Sequence, residues 1–146
     1  MKIFLLMILF HIIDDFVFQP ICLSKLKQKE WWERNIGTKE HGMPFMYKND
    51  YKMALGIHAL SWSIMIHLPL FLIASDFWLG FSVIINMIIH CVVDDLKAND
   101  KKLNLSEDQV IHMGSNINNF FVIHYLKNKR EEFNLTSLNF FIIILT

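Results

Sequence analysis

Histidine and aspartate recur four residues apart inside the longest apolar stretches of this chain. His11 and Asp15 form one such pair, and His90 and Asp94 form another. A spacing of four puts two side chains on the same face of a helix. Ionisable side chains are expensive inside a bilayer and are functional candidates by default, so this spacing indicates a polar face built into apolar helices.

Three of the apolar stretches are long enough to cross a membrane as helices. A bilayer core about 30 Å thick needs about 20 mostly apolar residues, and residues 3–23, 53–74 and 77–96 reach that length. Residues 106–126 begin at a candidate N-cap, Ser106, and predict a fourth, less apolar helix that either crosses between its neighbours or lies at the membrane surface. The expected fold is therefore all-α, a multi-pass transmembrane helical bundle of about four helices.

The charged residues lie between these stretches. Lys and Arg together number 14, as do Asp and Glu, so the charge balance gives no reason to expect a nucleic-acid partner. The loops 24–52 and 97–105 are basic, which places them in the cytoplasm by the positive-inside rule and puts the turn at 75–76 outside. With 146 residues, the chain is expected to be a single membrane domain, residues 1–146, whose main partner is the lipid bilayer.

The polar residues of the four helices are expected to meet in one layer. Helices 1 and 3 carry them in their second halves and helices 2 and 4 in their first halves, so an alternating topology brings them to the same depth, near the cytoplasmic end. In helices 1 and 3 they fall within about 60–80° of arc. The layer comprises His11, Asp15, His58, His90, Asp94, Lys97, Asp108 and His112, with Gln19 and Asn116 as supporting amides.

Histidine and carboxylate side chains on facing helices are a means by which helix bundles hold metal ions. A ligand set without thiolate suits a divalent ion such as Zn²⁺, Mn²⁺ or Fe²⁺. The expected ligands are His11, Asp15, His90 and Asp94. The expected general acid–base groups or further ligands are His58, Asp108 and His112, and Lys97 would bind a phosphate or carboxylate group. This set predicts a metal-dependent hydrolase that acts on a lipid-like or phosphorylated substrate near the cytoplasmic face.

Three other interpretations of the polar layer stay open. It could be a pathway for a cation or for protons, for which a four-helix chain would need to form a homo-oligomer. It could be a network that joins the helices, although a polar contact between helices contributes only about 0.6–2 kcal/mol and a buried charge costs about 2.5–3.5 kcal/mol. The chain could also be an accessory protein that binds another membrane protein through residues 24–52.

Other polar residues are expected at the edge of this layer or outside it. Asp14 lies about 60° away from His11 on a helical wheel, which leaves it either in the site or against a neighbouring helix. Asp95 falls near the membrane edge, where it would be solvated. His67 lies about 180° from His58, which predicts a position near the outer interface.

The order of these short motifs resembles that of a family of small bacterial and phage membrane proteins that share a domain of unknown function. The matching elements are His-x3-Asp-Phe-x2-Gln at residues 11–19, a lone histidine at 58, His-x3-Asp-x2-Lys at 90–97 and Asp-Gln-x2-His at 108–112. The resemblance implies a multi-pass helical protein of a bacterial inner membrane and favours Asp15 over Asp14. It implies no known reaction. The long 24–52 loop and the Asn-rich fourth helix depart from the family pattern, so the substrate side is expected to differ.

Overall fold

Helices make up the regular structure of this chain. The computed structural model describes residues 2–19, 21–37, 45–73 and 77–145, with their side chains except at position 45 and at 133–145. Every regular element in these ranges is a helix and none is a strand, which confirms the predicted all-α class.

The first helical segment widens and then breaks. α1 spans Lys2–Ile13 and continues into a π-helical turn over Asp14–Phe18. Gln19 N donates to Asp14 O at 2.9 Å, a bond between residues five apart, and Gln19 then leaves the helix with φ −84° and ψ 91°. Gln19 precedes a proline, and helical geometry is disfavoured for the residue before a proline. The prediction of one continuous helix over residues 3–23 is therefore wrong.

The segment predicted as a basic, partly helical loop, residues 24–52, does contain helix. α2 spans Ile21–Leu26 and α3 spans Lys29–Asn35. Trp32 Nε1 donates to Leu26 O at 2.8 Å, which ties α3 to the end of α2. Since α2 also contacts α4, the chain turns back onto the bundle after the break. Residues 38–44 of the predicted loop lie outside the described residues.

The next two long helices pack side by side. A 3-10 helix at Phe45–Tyr47 precedes α4, which spans Asp50–His67 and continues as the 3-10 helix Leu68–Leu72. α5 spans Phe77–Ala98 and packs along α4. These correspond to the second and third predicted spans, and within the described part of the chain they alone are long and apolar enough to cross a membrane.

The last helix is much longer than predicted. α6 spans Leu105–Leu145 without a break, whereas the sequence predicted a helix over residues 106–126. Its start is a capping box, in which Glu107 N donates to Asn104 Oδ1 at 2.9 Å and Asn104 N donates to Glu107 Oε2 at 2.8 Å. Such a reciprocal pair satisfies two otherwise unpaired donors at a helix start. Asn104 is therefore the N-cap, and the prediction of Ser106 was wrong by two residues.

Four helices form a ring in which α1, α4, α5 and α6 each contact two others. Among the described residues, thirteen buried side chains are polar or charged and only ten are hydrophobic. The outer faces are apolar: on α5, Ile84, Ile88 and Val92 are each more than half exposed. This distribution is the reverse of that in a water-soluble domain.

A hydrogen-bonded polar layer joins α4, α5 and α6. Asn86 and Asn119 exchange two hydrogen bonds of 2.8 Å between α5 and α6. His67 is fully buried, with Nδ1 2.7 Å from Ser63 O and Nε2 2.9 Å from Ser82 Oγ. His67, expected near the outer interface, is thus an interior group that links α4 to α5.

Asn119→Ala should destabilise the bundle, because it leaves the buried Oδ1 of Asn86 without its donor. We expect the free energy of unfolding in detergent to fall by about 1–2 kcal/mol, measured by denaturant or thermal unfolding. The matched control is Asn118→Ala, since Asn118 is adjacent and exposed. Equal losses in the two variants would contradict a specific role for the pair.

Candidate functional site

The ring of helices encloses one cluster of histidine, aspartate and lysine side chains, named here the His/Asp cluster. Every predicted site residue belongs to it, and all of them except Lys97 have side chains no more than 10% exposed. The members that the sequence predicted are His11, Asp15, His58, His90, Asp94, Lys97, Asp108 and His112. The structure adds Asp14 and Lys27.

The half of the cluster contributed by α5 and α6 is arranged around one oxygen of Asp94. His90 Nε2 lies 3.6 Å from Asp94 Oδ1, and His112 Nε2 lies 3.5 Å from the same atom. His112 Nε2 is also 3.2 Å from Asp108 Oδ1. The two imidazole rings stack with centroids 4.0 Å apart. The i, i+4 spacing on each helix is what puts both pairs on the facing surfaces.

The half contributed by α1 and α4 is arranged around His58. Its Nδ1 lies 3.8 Å from Asp14 Oδ2, and its Nε2 lies 3.8 Å from Asp15 Oδ1. His58 Nε2 is also 3.5 Å from Asp94 Oδ2, which joins the two halves. Asp14 is 1% exposed and accepts a hydrogen bond from Ser61 Oγ at 2.7 Å. The π-helical turn changes the angular spacing of an α-helix, and both Asp14 and Asp15 enter the cluster.

His11, predicted as a metal ligand, has a hydrogen-bond partner at each ring nitrogen. Trp62 Nε1 donates to His11 Nδ1 at 3.1 Å, and His11 Nε2 lies 3.1 Å from Gln109 Oε1. Gln109 Nε2 in turn donates to Asp15 Oδ2 at 3.1 Å. Because Nδ1 accepts, Nε2 carries the proton. In this arrangement His11 orients Gln109 and Asp15 and offers no free lone pair to an ion.

Lys27 is the member of the cluster that sequence reasoning missed. Its Nζ donates to Asp94 Oδ2 at 2.6 Å, and the residue is only 8% exposed. The sequence pattern places it in the basic loop, where lysines between spans usually lie in solvent. The available signal was the proline at position 20 of the sequence, because helical geometry is disfavoured for the residue before a proline. Lys97 makes the corresponding contact to Asp108 Oδ2, at 2.5 Å.

Several buried atoms of the cluster lack a hydrogen-bond partner among the described residues. They are both ring nitrogens of His90, Oδ2 of Asp14 and Oδ1 of Asp15. His112 Nε2 and Asp108 Oδ1 lie 3.2 Å apart and form an ion pair when that imidazole is protonated. Buried polar groups are normally paired, and unpaired ones call for an explanation such as a catalytic role or an ion.

Two overlapping sets of three residues have the geometry to hold an ion. In each set one ligand atom per residue lies within 4.8 Å of the other two. The first set is Asp15, His58 and His90, and the second is His90, Asp94 and His112. Imidazole nitrogen and carboxylate oxygen are ligands that Zn²⁺, Mn²⁺ and Fe²⁺ accept. The residues present therefore fit a divalent metal ion.

The charge balance of the cluster also suits a divalent cation. With the acids ionised and the histidines neutral, the carboxylates of Asp14, Asp15, Asp94 and Asp108 carry four negative charges, and the ammonium groups paired with Asp94 and Asp108 supply two positive charges. Two negative charges are then left inside the bundle, or one when the His112 imidazole beside Asp94 and Asp108 is protonated. An uncompensated buried charge is costly, and a divalent cation that displaces this proton would neutralise the remainder.

A polar cavity of about 310 Å³ lies beside the cluster. Its lining includes Asp15, His58, Asp94 and Lys97 from the cluster, together with the exposed Lys101. The cavity therefore connects the His/Asp cluster with the surface at the end of the bundle where α5 ends and α6 begins. A small polar ligand can reach the cluster through it.

Comparison of the chain with family models, with curated proteins and with solved structures finds no match. The resemblance to the family of small bacterial and phage membrane proteins thus stays a prediction. The function is argued below from the site itself.

Asp94→Asn and Asp95→Asn separate a cluster residue from its neighbour in sequence. Asp95 lies partly exposed and accepts a hydrogen bond from Asn99 at 2.6 Å, which asparagine can also accept. Asp94→Asn leaves the buried Lys27 charge unpaired, so we expect a loss of about 3–5 kcal/mol in the free energy of unfolding. Asp95→Asn should change it by about 0.5 kcal/mol or less. Denaturant unfolding in detergent measures both, and similar losses would contradict the assignment.

Proposed function

We propose that this chain is a multi-pass integral membrane protein of a bacterial inner membrane, with the His/Asp cluster near its cytoplasmic end. Two helices, α4 with its 3-10 extension and α5, have the length and apolar character that a membrane span requires. Only 28% of the most apolar 18-residue stretch of α5 is buried against the rest of the chain. A core helix of a soluble protein would be mostly buried. The basic segments around α2, α3 and the α5–α6 loop favour the cytoplasmic side for this end.

We propose further that the His/Asp cluster binds a divalent metal ion. The observation that carries this proposal is the buried set of His90, Asp94 and His112, whose ligand atoms converge while neither ring nitrogen of His90 has a hydrogen-bond partner among the described residues. Asp108 Oδ1 is the natural fourth ligand, because it lies 3.2 Å from His112 Nε2. The ligand set differs from the predicted one: His112 takes the place of His11, and Asp15 belongs to the adjoining set.

The reaction that this site supports best is hydrolysis of a phosphorylated or lipid-like substrate. A bound divalent ion supplies Lewis acidity and brings the pKa of a coordinated water toward about 7. His58 faces the cavity beside Asp94 and is placed to hold or move a proton there. Lys97 and Lys101 line the same cavity and would attract an anionic group. In the hydrolysis of a phosphoester the water oxygen joins phosphorus, the P–O bond breaks and the leaving oxygen takes up a proton.

Passage of a cation or of protons is the second candidate. The observation that favours it is a stripe of polar residues along one face of α5, at positions 82, 86, 90 and 94. Ser82 bonds to His67 of α4, and Asn86 bonds to Asn119 of α6. Polar groups therefore continue along the bundle beyond the proposed metal ligands. Transport would require these groups to form a connected path, as in proton relays of pumps.

Metal analysis of the detergent-purified full chain tests the metal proposal. We expect about one divalent ion per chain in the wild type, retained through gel filtration. His90→Ala and His112→Ala should lose most of it, since each supplies a direct ligand. The matched control is His124→Ala, an exposed histidine on the same helix as His112. An equal metal content in all four proteins, or no metal in any, would contradict the proposal.

The same proteins distinguish the two candidate functions after reconstitution in phospholipid vesicles. A hydrolase releases phosphate or a lipid fragment when metal is supplied, and His112→Ala abolishes the release while His124→Ala does not. A transporter instead moves protons or cations across the vesicle membrane without product formation.

A further inference from the structure

Lys27 reaches the His/Asp cluster because several features of the chain direct it there. The helix break at Gln19 allows α2 to turn back, and Lys27 follows the last residue of α2. Asn99 then fixes the backbone: its Oδ1 accepts from Lys29 N at 2.7 Å, and its Nδ2 donates to Lys27 O at 3.1 Å. Asn99 is itself held by Asp95, at 2.6 Å. We name these contacts the Asn99 clamp.

The docked segment is also held by charge. Lys101 Nζ lies 3.4 Å from Glu30 Oε2, which joins the α5–α6 loop to α3. This hydrogen bond, together with the nearby Arg34, holds the pKa of Glu30 below its usual range. A lysine exposed on a loop makes no contacts of this kind. The Asn99 clamp and the Lys101–Glu30 contact together hold the segment that carries Lys27 against the bundle.

The two oxygens of Asp94 face different partners. Oδ1 faces His90 and His112, the set proposed to bind the ion. Oδ2 faces His58 Nε2 at 3.5 Å, and His58 Nε2 is 3.8 Å from Asp15 Oδ1. Asp15, His58 and His90 are the other set of converging ligand atoms. A second position suited to a cation therefore lies beside His58, on the Oδ2 side of the Asp94 carboxylate. A carboxylate between two such positions resembles the arrangement in two-metal hydrolases, whose ions lie about 3.5–4 Å apart.

We infer that the His/Asp cluster has two cation positions and that the ammonium of Lys27 serves as the cation of the second one. Lys27 Nζ lies 2.6 Å from Asp94 Oδ2, the oxygen that faces this position. The inference rests on the proposed metal site. It makes Lys27 the residue that limits the site to a single divalent ion, bound by His90, Asp94 and His112.

The charges explain why the ammonium and a second ion would exclude each other. With one divalent ion and two lysines, the four carboxylates are neutralised. A second divalent ion beside Lys27 would add two positive charges in a buried place and would meet the ammonium at the same carboxylate oxygen. Without the ammonium, one carboxylate charge is uncompensated, and the ligands of the second position become free to take an ion.

The test is the metal content of Lys27→Met, which removes the charge and keeps an unbranched side chain. We expect Mn²⁺ binding to rise from about one ion to about two per chain, with the magnetic coupling between neighbouring ions that paired sites of this spacing show by electron paramagnetic resonance. Lys27→Arg keeps the cation and should bind one. The matched control is Lys25→Met, an exposed lysine two residues away, which should also bind one.

A second variant covers the case in which Lys27→Met does not fold. Asn99→Ala leaves Lys27 and all the ligands in place and removes the clamp, so a second, coupled Mn²⁺ should bind at a higher Mn²⁺ concentration than in Lys27→Met.

The outcomes separate this inference from the proposed metal site. A folded Lys27→Met that binds one ion, like the wild type, overturns the role of Lys27 and leaves the metal site standing. Two ions in the wild type overturn the role of Lys27 as well, because its ammonium would then not exclude a second divalent ion. No ion in any variant overturns both proposals.

Discussion

Burial of four aspartates in one bundle is the constraint on which the rest of this structure depends. A carboxylate removed from water is stable only when it is paired with positive charge and hydrogen-bond donors. Lys27 and Lys97 each pair with one of these acids at 2.5–2.6 Å, and Ser61 and Gln109 donate to two others. These partners come from elements far apart in sequence, so satisfying the acids also sets how the elements pack.

The same constraint accounts for the irregular features of the chain. The π-helical turn brings two consecutive aspartates to the interior, and the break at Gln19 returns a lysine to the cluster. Both features interrupt regular α-helix in a segment whose sequence otherwise predicts a simple apolar span. π-helical turns are found frequently at functional sites. The irregular first helix is therefore consistent with a site that needs those particular side chains.

Sequence patterns were sufficient where the helices are regular. The His90–Asp94 and Asp108–His112 pairs lie on uninterrupted α-helices, so the spacing of four correctly predicted that they would face one another. It left the position of Asp14 open and missed Lys27, because a wheel drawn at 100° per residue cannot anticipate a π-helical turn or a chain that doubles back. It also could not show that Trp62 and Gln109 occupy the ring nitrogens of His11. That choice depends on which distant side chains arrive at the ring.

The combination of an apolar outside, a polar inside and an approach cavity limits what the protein can do. The cluster holds more ligand atoms than one tetrahedral ion needs, and the extra ones lie toward the cavity that a substrate would enter. Open positions beside a metal are what separate catalytic sites from closed structural ones. A single divalent ion would give the unpaired ring of His90 a partner and would also neutralise the excess carboxylate charge.

X-ray absorption spectroscopy of the zinc-loaded protein in detergent tests the central claim most directly, because it counts and identifies the atoms around the ion. The account predicts two imidazole nitrogens at about 2.0–2.1 Å and carboxylate oxygens at about 2.0–2.2 Å, with the imidazole scattering lost when His90 and His112 are both replaced by alanine. A zinc environment of water and oxygen without imidazole, unchanged by that double substitution, would contradict it.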